Sequence, residues 1–237
     1  MTTRNRGKEG SDDRLFSDPV MQHKLKEAAK DMSYLLSRGF AEKSSVQLVG
    51  NRYKLNVRQQ KALQGMSATE EQIVLRKERS VTSDQLKGQM IAIDGFNLLI
   101  ILESALSGAY VFRGLDGSYR DISGVHGSYK RVQKTEEALI LIGNTLKKLE
   151  VTSVHWYFDA PVSNSGRLKT RLRELSEQFE FSWEISLVYN PDKELAISDN
   201  IIVSSDAWIL DRANKNFNLV EYLIKEHIKN VQIINSQ

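Results

Sequence analysis

The sequence predicts an α/β fold, a mostly parallel sheet flanked by helices and preceded by a small all-α domain. Three observations carry this. The apolar runs Met90-Ile91-Ala92-Ile93-Asp94, Val154-His155-Trp156-Tyr157-Phe158-Asp159 and Ile201-Ile202-Val203-Ser204-Ser205-Asp206 each end in an aspartate. Helical patterns separate them, the alternation expected of a parallel sheet covered on both faces. Ahead of the first run, apolar residues recur only at helical spacing.

Residues 1–18, polar and rich in Arg, Gly, Lys and Asp, predict a disordered tail. Pro19 opens a helix in which Leu25, Ala28, Ala29, Met32, Leu35 and Leu36 form one stripe that ends near Gly39. A second short helix runs from Ser44 or Ser45 to Gly50. Asn56 can cap a third, with Val57, Ala62, Leu63 and Met66 apolar. Residues 19–66 thus form a small basic helical domain, and Arg52, Lys54, Arg58 and Lys61 give it a helix-turn-helix outline that any small trihelical bundle shares. The charged stretch 67–88 is a linker or helix. From 89 to 237 the α/β domain begins with the Asp94 strand and a helix through Leu98, Ile101, Leu102 and Leu106. A glycine-rich polar segment, Gly108 to Gly127, precedes a long helix with Val132, Leu139, Ile142, Leu146 and Leu149 on one stripe. After the Asp159 strand come a helix from about Gly166 to Phe179 and a strand from Phe181 to Tyr189. The Asp206 strand, helices around Leu210 and from about Leu219 to Ile228, and a last strand at Val231 to Ile234 complete the alternation.

The chain of 237 residues, 41% of them hydrophobic, supports an ordinary core. It holds no apolar segment of the roughly 20 residues that cross a bilayer and no signal-peptide pattern at its start, so the expected compartment is the cytoplasm. It lacks cysteine and has four histidines, which excludes thiolate metal sites and favours a hard, oxygen-ligated ion. The net charge of +3 is unevenly spread: residues 1–90 carry 17 Lys and Arg against 11 Asp and Glu, and the remainder is acidic. A basic first part joined to an acidic second part suits a nucleic-acid grip beside a metal-binding carboxylate site, as it also suits an ordinary solvated surface.

Asp94, Asp159 and Asp206 stand where open α/β sheets place their ligands, at the carboxyl ends of strands. Each could also cap the helix that follows. Together they suggest a carboxylate cluster. The strand ending in Asp94-Gly95-Phe96-Asn97, with Tyr157-Phe158-Asp159-Ala160 and Val203-Ser204-Ser205-Asp206, resembles the PIN-like nuclease superfamily, including its 5′-nuclease and NYN branches, over about residues 89–215. The segment from Asp121 to Tyr129 resembles the glycine-containing approach to the 5′-nuclease helix. Taken whole, the chain also resembles an uncharacterised prokaryotic family in which a helical domain of unknown function precedes a PIN-like region.

The resemblance implies phosphodiester hydrolysis with Mg2+ or Mn2+, in which Asp94, Asp159 and Asp206 act as catalytic metal ligands, directly or through water. Asn97 would orient Asp94 or a metal-bound water. Helical geometry selects Glu136 over Glu137 as a further ligand, and Asp199 resembles another acidic position of related nucleases, although it precedes a strand rather than opening a helix. Trp208 stands where the 5′-nuclease pattern has a second aspartate, with Asp211 the next acid. Ser163, Ser165 and Arg167 could seat a phosphate at a helix start, or merely form a capping loop. Arg113, Arg120, Lys130 and Arg131 could hold a nucleic-acid backbone. His126 could bind phosphate, and Phe96 or Trp208 could stack a base, although packing roles fit them as well. RNA is the favoured partner on the resemblance alone, with no membrane partner. The competing reading is a non-catalytic nucleic-acid-binding or regulatory protein with a degenerate PIN-like domain.

Overall fold

The computed structural model describes residues 7–123, 129–130 and 132–237. Arg131 and the Gly124–Ser128 segment with His126 lie outside the described residues, so their proposed roles have no structural counterpart below.

The helical part comprises α1 (Asp12–Phe16), α2 (Pro19–Ser37), α3 (Glu42–Tyr53), α4 (Val57–Met66) and α5 (Glu70–Glu78), with a 3-10 turn at Ser83–Leu86. The caps follow local chemistry. The Asp18 side chain accepts from the Val20 N–H with Pro19 in the first turn, and Asn56–Gln59 and Thr69–Gln72 form capping boxes that satisfy otherwise orphaned amides. One expectation fails here. The stretch assigned to a disordered tail contains α1, because Phe16 is fully buried and the buried Asp12 receives two bonds from Arg58, at 2.6 and 2.8 Å. That pairing also withdraws Arg58 from the basic surface. Lys61 donates to the Ile122 carbonyl at 2.7 Å and Arg52 lies 3.3 Å from Asp31, contacts that both make while remaining exposed.

Four strands, β1 (Met90–Asp94), β4 (Ser153–Asp159), β5 (Trp183–Val188) and β6 (Ile201–Val203), form a wholly parallel sheet in the order β5-β4-β1-β6. Alternation sorts their side chains. Ile91, Ile93, Val154, Trp156, Phe158, Ile201 and Val203 enter the large core with α6 (Gly95–Leu106), α7 (Thr135–Lys148), α8 (Ser165–Phe179) and α11 (Leu219–Glu226). Ala92 and Ile202 face the other way, toward a small cluster with Leu195 of α9 (Pro191–Ala196), Ile209 of α10 (Ala207–Leu210) and Ala213.

The glycine-rich segment is not wholly irregular. It contains β2 (Tyr110–Arg113) and β3 (Tyr119–Arg120), an antiparallel pair. The last strand, β7 (Gln232–Asn235), does not extend the main sheet but pairs in parallel with β2. Tyr110 and Phe112 of β2 and Ile234 of β7 then share one core with Phe16, Leu25, Met32, Leu63 and Met66. The helices therefore close a core that the C-terminal strand helps to build. Among the described residues, no helix is long and apolar enough to cross a membrane.

Candidate acidic site at the carboxyl edge of the sheet

β1 is flanked by β4, which follows it through α7, and by β6, which comes after β5 and α9. The strand order reverses at β1, and the crevice at such a switch point is where open α/β sheets bind ligands. Asp94 ends β1 there. Its side chain makes no capping bond of ordinary geometry to α6, although the Asn97 N–H lies near enough to favour its ionised form. Only 9% exposed, it accepts from the Ser204 hydroxyl at 2.8 Å, and that hydroxyl accepts from the Asp206 N–H at 3.0 Å. Burial pushes the Asp94 carboxyl up to about 7; Asp206 and Asp192 push the same way, against the Ser204 hydroxyl and the Asn97 N–H.

Asp206 is a helix cap, with Oδ1 accepting from the Trp208 and Ile209 amides at 2.8 and 3.2 Å. Asp159 caps nothing, since α8 starts six residues later behind Asn164. Register explains its distance from Asp94. The residue opposite Asp94 on β4 is Tyr157, so Asp159 lies two residues farther along, roughly 7 Å at the rise of a strand. Sequence reasoning missed Asp192. Burial, then Asp206 and Asp159, push its carboxyl up, so it joins the other three into one electrostatic group. Its signal was readable: Asn190-Pro191 is a helix start, and the Asn190 side chain accepts from the Lys193 N–H at 3.1 Å. The group is nevertheless open. Among the described residues, no three His, Cys, Asp or Glu side chains come close enough to hold a metal ion.

The remaining candidates divide sharply. Glu136 is bound by Arg171 of α8 at 2.7 Å, and Asp199 sits before β6, at the opposite end of that strand from Asp206. Asn97 is not a free contact, because its Oδ1 accepts from the Ser205 N–H at 2.8 Å and clasps the Asp206 loop to α6. Arg113 pairs with Glu221 at 2.9 Å. Arg120 is a structural residue: it grips Asp116 at 2.7 Å and donates to the carbonyls of Gly65 and Ser205, both at 2.9 Å. Ser165 is buried with its hydroxyl toward the Ala160 carbonyl at 3.3 Å, and the Ser163 carbonyl accepts from Tyr129 N–H at 3.2 Å, which fits the capping-loop alternative. Lys130 is exposed, as is Arg167 in the first turn of α8. Phe96 is a core residue, packed edge-on against Phe158 at 5.0 Å.

A family model described as a domain of unknown function, DUF5616, matches residues 83–222, more than half of the chain. This chain belongs to the DUF5616 family. The DUF5616 match takes in the whole parallel sheet and the four acids but ends before β7. A second model, described as a protein of unknown function, DUF434, matches residues 24–79, from α2 to the end of α5. An uncharacterised protein of Methanocaldococcus jannaschii is 31% identical over 208 residues, covering 85% of this chain and 99% of its own length. No solved structure matches the chain.

The Asp94-Gly95-Phe96-Asn97 turn of this DUF5616 member has a packing reason for its glycine. A Cβ on Gly95 would lie 2.2 Å from the Phe158 ring, so only glycine lets α6 start directly at the end of β1. Gly95→Ala is expected to cost roughly 1–3 kcal/mol in urea unfolding, as other overpacked cores do. No change in midpoint would mean that Phe158 swings aside freely.

Proposed function

We propose that this protein is a divalent-metal-dependent nuclease of PIN-like kind that cleaves RNA in preference to DNA, in the cytoplasm. The observation that carries this reading is the placement of Asp94 and Asp159 at the ends of adjacent strands and of Asp206 three residues past the end of β6, around the switch point and electrostatically linked with Asp192. A buried acid facing other acids calls for a proton or a cation, and this chain supplies no lysine or arginine bond to Asp94 among its described residues. The donor set fits Mg2+ or Mn2+ in a particular manner. The carboxylates are too spread for an all-protein cage, but Mg2+ keeps several waters and needs only one or two carboxylates. Asp94 and Asp206 would hold it, with Asp159 and Asp192 bonding its water shell. When bound, the ion would supply an activated water and charge balance at the leaving oxygen. Ser204 and Asn97 keep Asp94 and the Asp206 loop in place, while Arg167 offers exposed charge for phosphates. The choice of RNA rests on the resemblance.

One observation favours the competing non-catalytic reading: Asp206 spends one oxygen on a helix cap, which reduces what it can give an ion. Cleavage of labelled single-stranded RNA and DNA with Mg2+, Mn2+ or EDTA separates the two. Slow, metal-dependent cleavage is expected, reduced roughly 100-fold or more by Asp94→Asn, Asp159→Asn or Asp206→Asn, since several kcal/mol of charge stabilisation depends on them. A wild type no more active than the triple variant, yet able to bind RNA, would establish the non-catalytic reading.

A further inference from the structure

We propose that Trp208, backed by Arg212, is a stacking subsite for a base of single-stranded nucleic acid at the β6 end of the acidic edge, with Tyr189 as its counterpart at the β5 end. This rests on the nucleic-acid part of the reading above and not on catalysis.

The chain has three tryptophans. Trp156 is fully buried and Trp183 packs edge-on against it at 5.3 Å. Trp208 differs. It is 41% exposed on α10, a helix whose Ile209 and Leu210 already fill the buried face. The Arg212 guanidinium lies 4.0 Å from the centre of the indole ring, and its NH1 donates to the Trp208 carbonyl at 3.0 Å. The pair is thus held as a unit before any ligand arrives. Among the described residues Arg212 has no acidic partner, in contrast to Arg113, Arg120 and Arg171. An exposed aromatic ring beside a guanidinium that no carboxylate neutralises is a combination that stacks a base and attracts its phosphate.

Position gives the pair its meaning. Trp208 follows Asp206 by two residues, and its N–H donates to the Asp206 carboxylate. Tyr189, 88% exposed, directly follows β5 and precedes Asp192 by three residues. The order β5-β4-β1-β6 puts the strands that lead to Tyr189 and to Trp208 at the two edges of the sheet, with the ends of β4 and β1, which carry Asp159 and Asp94, between them. Phosphates alone are repelled by such a row, whereas uncharged base faces are not. A duplex hides those faces, so the subsite accepts an unpaired strand and is indifferent to its sequence.

The test uses the full chain in EDTA, so that no strand is cut. Anisotropy of labelled oligothymidylate measures affinity, and tryptophan emission reports contact at the exposed indole. Saturable quenching is expected, with affinity lowered roughly 5- to 100-fold by Trp208→Ala, less by Arg212→Ala and Tyr189→Ala, and largely kept by Trp208→Phe. An abasic oligomer of equal length should bind wild type no better than thymidylate binds Trp208→Ala. Equal affinity for the abasic oligomer, wild-type affinity in Trp208→Ala, or no binding of any oligomer by wild type would overturn the subsite. Metal-dependent cleavage that Trp208→Ala leaves intact would remove the subsite and keep the nuclease. Trp208-dependent binding without cleavage would do the reverse.

Discussion

Asp94→Asn is expected to make the protein more stable at neutral and alkaline pH while removing its response to divalent ions. The reason is linkage. A carboxyl whose folded-state value stands near 7 instead of 3.8 binds more protons in the folded chain than in the unfolded chain throughout that interval. Stability therefore falls as pH rises from about 4 to about 7 and then levels off, with a cost on the order of 4 kcal/mol once the buried group is ionised. Asparagine keeps the shape and carries no charge. The two proteins should thus be equally stable near pH 4, and the variant should lead by roughly 2–4 kcal/mol at pH 8 in EDTA. Millimolar Mn2+ should raise the melting temperature of the wild type at pH 8 and leave that of the variant nearly unchanged. Urea unfolding across this pH range checks the first claim. A pH-independent difference, or an Asn variant that is weaker throughout, would make Asp94 an ordinary structural polar residue.

Asp116→Asn is expected to have the opposite sign and a comparable size. Asp116 lies in the β2–β3 connection, 1% exposed, 2.6 Å from Arg76 of α5 and 2.7 Å from Arg120. Burial alone would raise its carboxyl, but Arg120 and Arg76 together hold it well below the usual carboxylate range. Arg76 also reaches Asp211 at 2.6 Å, so the network runs from the helical part, through the small sheet, to the C-terminal end of α10, the helix that Asp206 caps. Neutralising its centre strands two buried guanidiniums with one acid between them. Breaking such a group costs about 3–5 kcal/mol. Because the folded value is depressed, this stabilisation is in place above the unfolded 3.8 and is lost only as pH falls toward the folded value. Unfolding midpoints of Asp116→Asn should therefore drop equally from pH 5 to pH 9, unlike those of Asp94→Asn. A loss under about 1 kcal/mol would show that the arginines find other partners.

The two residues illustrate how far the chain could be read. Asp94 was legible because an apolar run that stops at Asp-Gly marks a strand end followed directly by a helix. Asp116 was illegible, because an acid in a polar glycine-rich segment has the composition of a surface loop, and only the approach of Arg76 across forty residues makes it a core residue. Arg113 was read as an available cation for the same cause, since Glu221 lies 108 residues away, whereas the Arg120 partner Asp116 is only four residues off. A cation near a proposed site looks available until its acidic partner is found. Asp192 is a different case, since its Asn-Pro helix start was in plain view and went unused.

The sequence by itself determined the periodic features: the parallel strands, the helices between them, the cap at Asn56, and aspartates at or just past three strand ends. These depend on residues within a few positions of one another, and local geometry is nearly all that periodicity encodes. Tertiary structure alone decided that β7 joins β2 rather than the main sheet, that the helical part shares its core with both, and that Asp159 stands ahead of Asp94 by two residues of register. It also decided which charges are spent inside the fold and which still face solvent. Strand partners, register and ion pairs join residues far apart in the chain. Their choice is made by the summed burial of both surfaces, a quantity that no single segment contains.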